Sequence, residues 1–114
     1  MNDLIRQLQE FNRERDWEQY HTPKNLAMAL VVEAGELLEH FQWLTPEQSC
    51  SPDEETHHKI REEIGDVVLY LLNLADKLHI DPVEAARDKL ARNAVKYPIH
   101  KVKGKAIKYT ELME

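Results

Sequence analysis

Four times in 114 residues a short polar side chain stands directly before a proline: Thr22-Pro23, Thr45-Pro46, Ser51-Pro52 and Asp81-Pro82. Proline has no backbone N–H to lose at the first helical position, and the Thr, Ser or Asp before it can accept from the free amides of the first turn. Ser51 and Asp81 also have a glutamate three residues on, Glu54 and Glu84, at the spacing of a capping box. These pairs read as helix starts. Strand signals are nearly absent, with no sustained period-two alternation and no Asn-Gly or Asp-Gly hairpin. The pattern predicts four helices at about Asn2–Arg15, Lys24–Leu44, Asp53–Leu78 and Val83–Lys96, with one further turn at 45–48. Leu4, Ile5, Leu8 and Phe11 share one face of the first. An all-α bundle follows.

A chain of this length, 42% hydrophobic, supports one core but gains from self-association. It is read as a single domain over residues 1–114, with residues 96–114 an irregular basic tail. The formal net charge of −6 argues against nucleic acid as a partner. The exception is the tail, where Lys96, Lys101, Lys103, Lys105 and Lys108 make a local counter-charge for a polyanionic ligand. Cys50 is the single cysteine, which excludes an internal disulfide and fits a reducing compartment. The first 20 residues contain no apolar signal core, and no apolar run approaches the ~20 residues that span a bilayer. A cytoplasmic protein with no membrane partner is expected.

Two of the three glycines fall inside predicted helices, in matched settings: Glu33-Ala34-Gly35-Glu36 and Glu63-Ile64-Gly65-Asp66. Glycine costs a helix about 1 kcal/mol relative to alanine, so its recurrence implies a close-approach requirement. Residues three apart share a helix face, so Glu33 projects with Glu36 and Glu63 with Asp66. Each stripe continues in polar or aromatic residues, to His40 and Trp43 from Glu36, and to Tyr70 and Asn73 from Asp66. If the stripes face each other, four carboxylates converge where desolvation and repulsion demand a compensating charge. A divalent cation supplies it, and all-oxygen ligation favours Mg²⁺, with Mn²⁺ the alternative. Glu54/His57 and Glu55/His58 have the Glu-x-x-His spacing of di-iron bundles, but they stand in a hydrophilic first turn and read as a solvated helix start.

Trp17 lies in the charged stretch ERDWEQYH, and Trp43 is placed at the end of the second helix on the acid stripe. Each is either a plug at a helix junction or a stacking platform for a base. Lys89 and Asn93, four apart, offer a cation and an amide on one face of the fourth helix. Surface placement is their default.

The blocks ERDWEQYH, PKNLAMALVVEAGELLEHFQW, EEIGDVVLYLLNLA, KYP and KYTEL, in this order, resemble the MazG-like all-α nucleotide pyrophosphohydrolases, and most closely their dCTP pyrophosphatase branch. The resemblance implies a four-helix MazG-like bundle assembled as a homotetramer, a dimer of dimers with sites between subunits. It implies cleavage of a nucleoside triphosphate to monophosphate and pyrophosphate, with Mg²⁺ bound by Glu33, Glu36, Glu63 and Asp66. Trp17, His21, Trp43 and Tyr70 would contact the nucleotide, and Lys89 and Asn93 its phosphates or sugar. Two positions depart from the family pattern: Val32 stands where many members carry another glutamate, and Leu8 where branch members can carry a histidine.

The reading is therefore a Mg²⁺-dependent pyrophosphohydrolase acting on dCTP or a 5-modified form of it, with Glu36 or Glu63 orienting the attacking water. The competing readings are a non-catalytic acidic helical interaction module, and a same-fold hydrolase of another nucleotide such as phosphoribosyl-ATP.

Overall fold

The computed structural model describes residues 2–106, and every regular element among them is helical. In chain order these are α1 (Asn2–Glu14), a 3-10 turn (Glu18–Tyr20), α2 (Pro23–Glu39), α3 (Pro46–Ser49), α4 (Glu54–Lys77), α5 (Pro82–Lys96) and α6 (Ile99–Val102). The four long helices are the expected ones, joined by two four-residue helices. One of these, α6, lies in the stretch expected to be irregular, while Lys108 lies outside the described residues.

The start signals act largely as written. Thr22 Oγ1 accepts from the Asn25 amide, Asp81 Oδ1 from those of Val83 and Glu84, and Thr45 forms a reciprocal capping box with Gln48. The exception is Ser51. Helix α4 starts one residue after Asp53, whose carboxylate accepts from the Thr56 amide at 2.7 Å. A charged acceptor makes the stronger cap, and this bond holds the Asp53 carboxyl below its ordinary range.

Helix α2 is shorter than expected. It ends at Glu39, and His40, Phe41 and Leu44 instead make the i→i−3 bonds of successive turns. Trp43 is therefore not on the helix; it sits in the following turn and is 86% exposed.

The described residues fall into two compact units that divide between Ile80 and Asp81. In the first, α2 and α4 make the most extensive pairing and α1 lies against α4. Its core holds Leu26 from α2 and Ile60, Leu72 and Ala75 from α4. Leu72 is wholly inaccessible, so Leu72→Ala should cost about 2–5 kcal/mol in urea unfolding. Lys59→Ala, which breaks only an exposed 3.4 Å ion pair with Glu55, should stay within about 0.5 kcal/mol. The second unit contains α5 and α6, with Lys89 exposed and Asn93 half-buried one turn apart on α5.

Two helices stop without glycine. After α1, Asp16 adopts a left-handed φ of 54° while its N–H donates to Arg13 C=O and the Trp17 N–H to Asn12 C=O. After α4, His79 (φ 55°) repeats the pattern, donating to Asp76 C=O while Ile80 N–H donates to Ala75 C=O. Both are Schellman stops. They accept the left-handed cost of roughly 1 kcal/mol at a non-glycine residue. By contrast, Gly35 and Gly65 meet no close neighbour: a Cβ added at either would find nothing within 4 Å. Among the described residues the close approach expected of them is not made, and both lie on exposed helix faces.

Candidate active site

Pairing α2 with α4 brings Glu33, Glu36 and Glu63 together, with one carboxylate oxygen of each lying within 4.8 Å of the others. All three are half-buried. Asp66, expected as a fourth member, is exposed and outside this trio, one turn beyond Glu63. It still adds to the field at Glu33. Burial first, then the contacts of Glu63 and Glu36 and the negative charges of Glu36 and Asp66, push the Glu33 carboxyl up to about 7. Three acids this close cannot all stay ionised without a counter-charge.

The trio passes a direct test for a cation. Glu33 Oε2 and Glu63 Oε2 are sealed from solvent and have no hydrogen-bond partner. With both ionised they can only accept, so neither satisfies the other. A hard divalent cation matches an all-oxygen donor set and would supply the missing charge. The Glu-x-x-His pairs at the start of α4 do not converge in this way. His58 instead pairs with Glu62 at 3.1 Å on an exposed face, which also places Glu62 away from the trio.

Beside the acids lies a cavity of about 230 Å³, lined by residues that include Phe11, Trp17, His21, Asp66, Tyr70 and Asn73. Sites for whole small molecules usually measure ~300–1,000 Å³. This one suits a single ring system, and Asp66 at its edge links it to the carboxylates. The stop of α1 positions its aromatic wall. With the Trp17 amide bonded to Asn12 C=O, the indole meets Phe11 edge-on, centroids 5.5 Å apart, and Arg15 covers that ring at 3.7 Å. His21 also lines the cavity, with a buried and unpartnered Nδ1. Burial, reinforced by Lys77 and opposed by Glu18, lowers its pKa and keeps the imidazole neutral near pH 7.

Trp17, His21, Asp66 and Tyr70 thus share one cavity beside Glu33, Glu36 and Glu63. Trp43 is not among the cavity-lining residues, and Lys89 and Asn93 belong to the second unit. Asn12, which also lines the cavity, belongs to none of the sequence motifs. Its one signal is its position on the apolar face of α1, four residues after Leu8 and seven after Ile5.

Fold and site together define an all-α protein with a metal-capable carboxylate centre between two helices, flanked by an aromatic cavity. The chain belongs to the MazG-like family, whose model matches residues 28–112. It is 44% identical to dCTP pyrophosphatase 1 of Mus musculus over 115 residues, covering 98% of this chain and 67% of the relative. The Homo sapiens protein of the same name is 43% identical over 116 residues, with the same coverage. The crystal structure of a pyrophosphatase from Archaeoglobus fulgidus superposes with a TM-score of 0.82 at 43% identity, covering 86% of this chain and 92% of the other. Among the described residues no helix is long and apolar enough to cross a membrane.

Proposed function

We propose that this protein is a Mg²⁺-dependent nucleoside triphosphate pyrophosphohydrolase that converts dCTP, or a 5-modified dCTP, to the monophosphate and pyrophosphate. The observation that carries this reading is the pair of sealed, unpartnered carboxylate oxygens of Glu33 and Glu63, set beside a cavity of one-ring size. Similarity to dCTP pyrophosphatases over nearly the whole chain supports the substrate class.

Glu33, Glu36 and Glu63 would hold the metal, with Asp66, one turn beyond Glu63, as the fourth candidate ligand. Bound there, Mg²⁺ neutralises negative charge on the triphosphate and its leaving pyrophosphate. Glu36, or failing it Glu63, orients the attacking water and accepts its proton. Trp17 and Tyr70 hold the base between aromatic faces, and neutral His21 offers a ring nitrogen to it or to the sugar. Lys89 and Asn93, in the second unit, keep only the role the family resemblance implies, contact with a nucleotide's phosphates or sugar.

The whole chain acts as one catalytic domain in a cytoplasmic homotetramer, a dimer of dimers, with neither nucleic acid nor membrane as a partner. Exposed Met28, Val31, Val32 and Leu38 on one side of α2 support self-association, since a contiguous apolar helix face needs a cover. The same assembly would cover Gly35 and bring Trp43 against a nucleotide.

Purified protein incubated with Mg²⁺ and a panel of dNTPs and NTPs should release pyrophosphate, fastest from dCTP or its 5-methyl form. Release of orthophosphate alone, or no turnover of any triphosphate, would defeat the proposal.

A further inference from the structure

Helix α1 is fastened to α4 by polar bonds rather than by a core of its own. None of its apolar side chains is buried; the one buried residue it contributes is Asn12, 6% exposed. Asn12 Nδ2 donates to Asn73 Oδ1 of α4 at 2.7 Å. One turn back on α1, Gln9 Nε2 donates to Asp76 Oδ1 at 2.8 Å. Gln9 and Asn12 share one face of α1, as Asn73 and Asp76 share one face of α4, so the two bonds are successive rungs between antiparallel helices. Apolar contact is non-directional and lets helices slide or turn against each other. A hydrogen bond between two short side chains is met at one register only. In a helix seam, a buried asparagine selects that register at some cost in stability.

The inner rung stands where the aromatic cavity begins, and both of its residues line that cavity. Asn12 carries the wall on the α1 side. Its C=O accepts from the Trp17 amide at 3.0 Å, and Phe11, which the indole meets edge-on, is its neighbour in the chain. Asn73 carries the wall on the α4 side, with Tyr70 one turn before it on the same face. Trp17 is 44% exposed, so burial does not hold the indole in place. The spacing of Trp17 from Tyr70 therefore runs through the bond between the two amides. Turned together, the amides make the same bond with Asn73 as the donor. The rung thus fixes position and expresses no choice between one base edge and another.

We infer that the Asn12–Asn73 rung is a register lock, which sets where α1 stops against α4 and so holds Trp17 and Tyr70 at the separation that receives a planar ring. The two asparagines are positioning residues, acting through the aromatic walls and not on the reacting phosphates. This rests on the nucleotide reading above and adds what pre-organises the place of the ring. With the lock made, the slot exists before the ligand arrives, and no ordering of α1 is subtracted from binding.

Replacing both asparagines with leucine, of similar branched shape, removes the rung without leaving either amide unpaired. Asn12→Leu/Asn73→Leu should therefore melt no lower than wild type. It should still raise the KM for dCTP about tenfold, the scale of one lost hydrogen bond, with kcat within about twofold. Each single variant should raise KM about as much as the pair does, since half a rung holds nothing. Trp17 reports the lock without substrate. For this measurement alone, Trp43→Phe leaves Trp17 the one tryptophan. Acrylamide quenching of the metal-free, nucleotide-free protein should then rise when the rung is removed, and the emission should shift to the red. A raised KM with unchanged Trp17 quenching would overturn the inference and make the asparagines direct ligand contacts. An unchanged KM in the double variant, or single effects that simply add, would overturn it and leave the pair a packing contact. If wild type cleaves no triphosphate, the hydrolytic proposal falls by itself. Weaker calorimetric binding of dCMP by the double variant, together with increased Trp17 quenching, would still uphold the lock.

Discussion

Glu63→Gln will cut triphosphate turnover by on the order of 100-fold or more and, at pH 8, will raise the melting temperature of the metal-free protein. The opposite signs come from one cause. Glu33 and Glu63 each bury a carboxylate oxygen with no partner, and at pH 8 Glu33 is ionised against the pull of burial and its neighbours. Glutamine at position 63 removes one negative charge and brings an NH₂ group that can donate to Glu33. The fold would relax, and a cation held by the trio would lose one of its ligands. Differential scanning fluorimetry with and without Mg²⁺ reads both effects: the metal-free midpoint should rise and the Mg²⁺-dependent increment should disappear. A variant that melts lower than wild type yet keeps both the increment and its turnover would show that Glu63 merely packs. Activity given up for stability at the same side chain is the general pattern when like charges are assembled for function.

The second large effect is on pH. The Glu33 carboxyl is held at about 7, against 4.5 for an unperturbed glutamate. The folded protein therefore binds this proton more tightly than the unfolded chain does. Between about 4.5 and 7 the folded state carries more protons, so metal-free stability falls as pH rises through that window and levels off above it. Metal binding runs the other way, because the ligand must be deprotonated. Mg²⁺ affinity should climb as pH rises toward 7 and flatten beyond. Calorimetric titrations at pH 6 in buffers of different ionisation enthalpy should detect a proton released per Mg²⁺ bound, and at pH 8.5 almost none. Equal proton release at both pH values would mean that Glu33 does not titrate in this range.

Much of this site is legible in the amino-acid sequence, because local signals carry local consequences. A Thr or Asp before proline satisfies amides within its own first turn, so the starts of α2, α3 and α5 can be placed to within a residue. The start of α4 shows the limit, since Ser51 and Asp53 both have capping chemistry and Asp53 wins by its charge. Likewise, residues three apart share a face in any helix, so Glu33 with Glu36 and Glu63 with Asp66 are pairs on spacing alone. The end of α2 is not legible. Nothing in LLEHFQWL forbids further helix, and the chain leaves it through turn bonds at His40 and Phe41 that displace Trp43 from the acid stripe.

What the sequence determined by itself was helical class, helix starts and the face each acid occupies, because these depend on contacts spanning four residues or fewer. Tertiary structure alone decided which groups meet. It assembled three carboxylates rather than four, left Gly35 and Gly65 facing open space, and set Asn12 against Asn73, 61 positions away. Those outcomes depend on the rotation and offset of α1 and α2 against α4. Packing of the whole unit around Leu26 and Leu72 sets these relations, which no spacing within a single helix encodes.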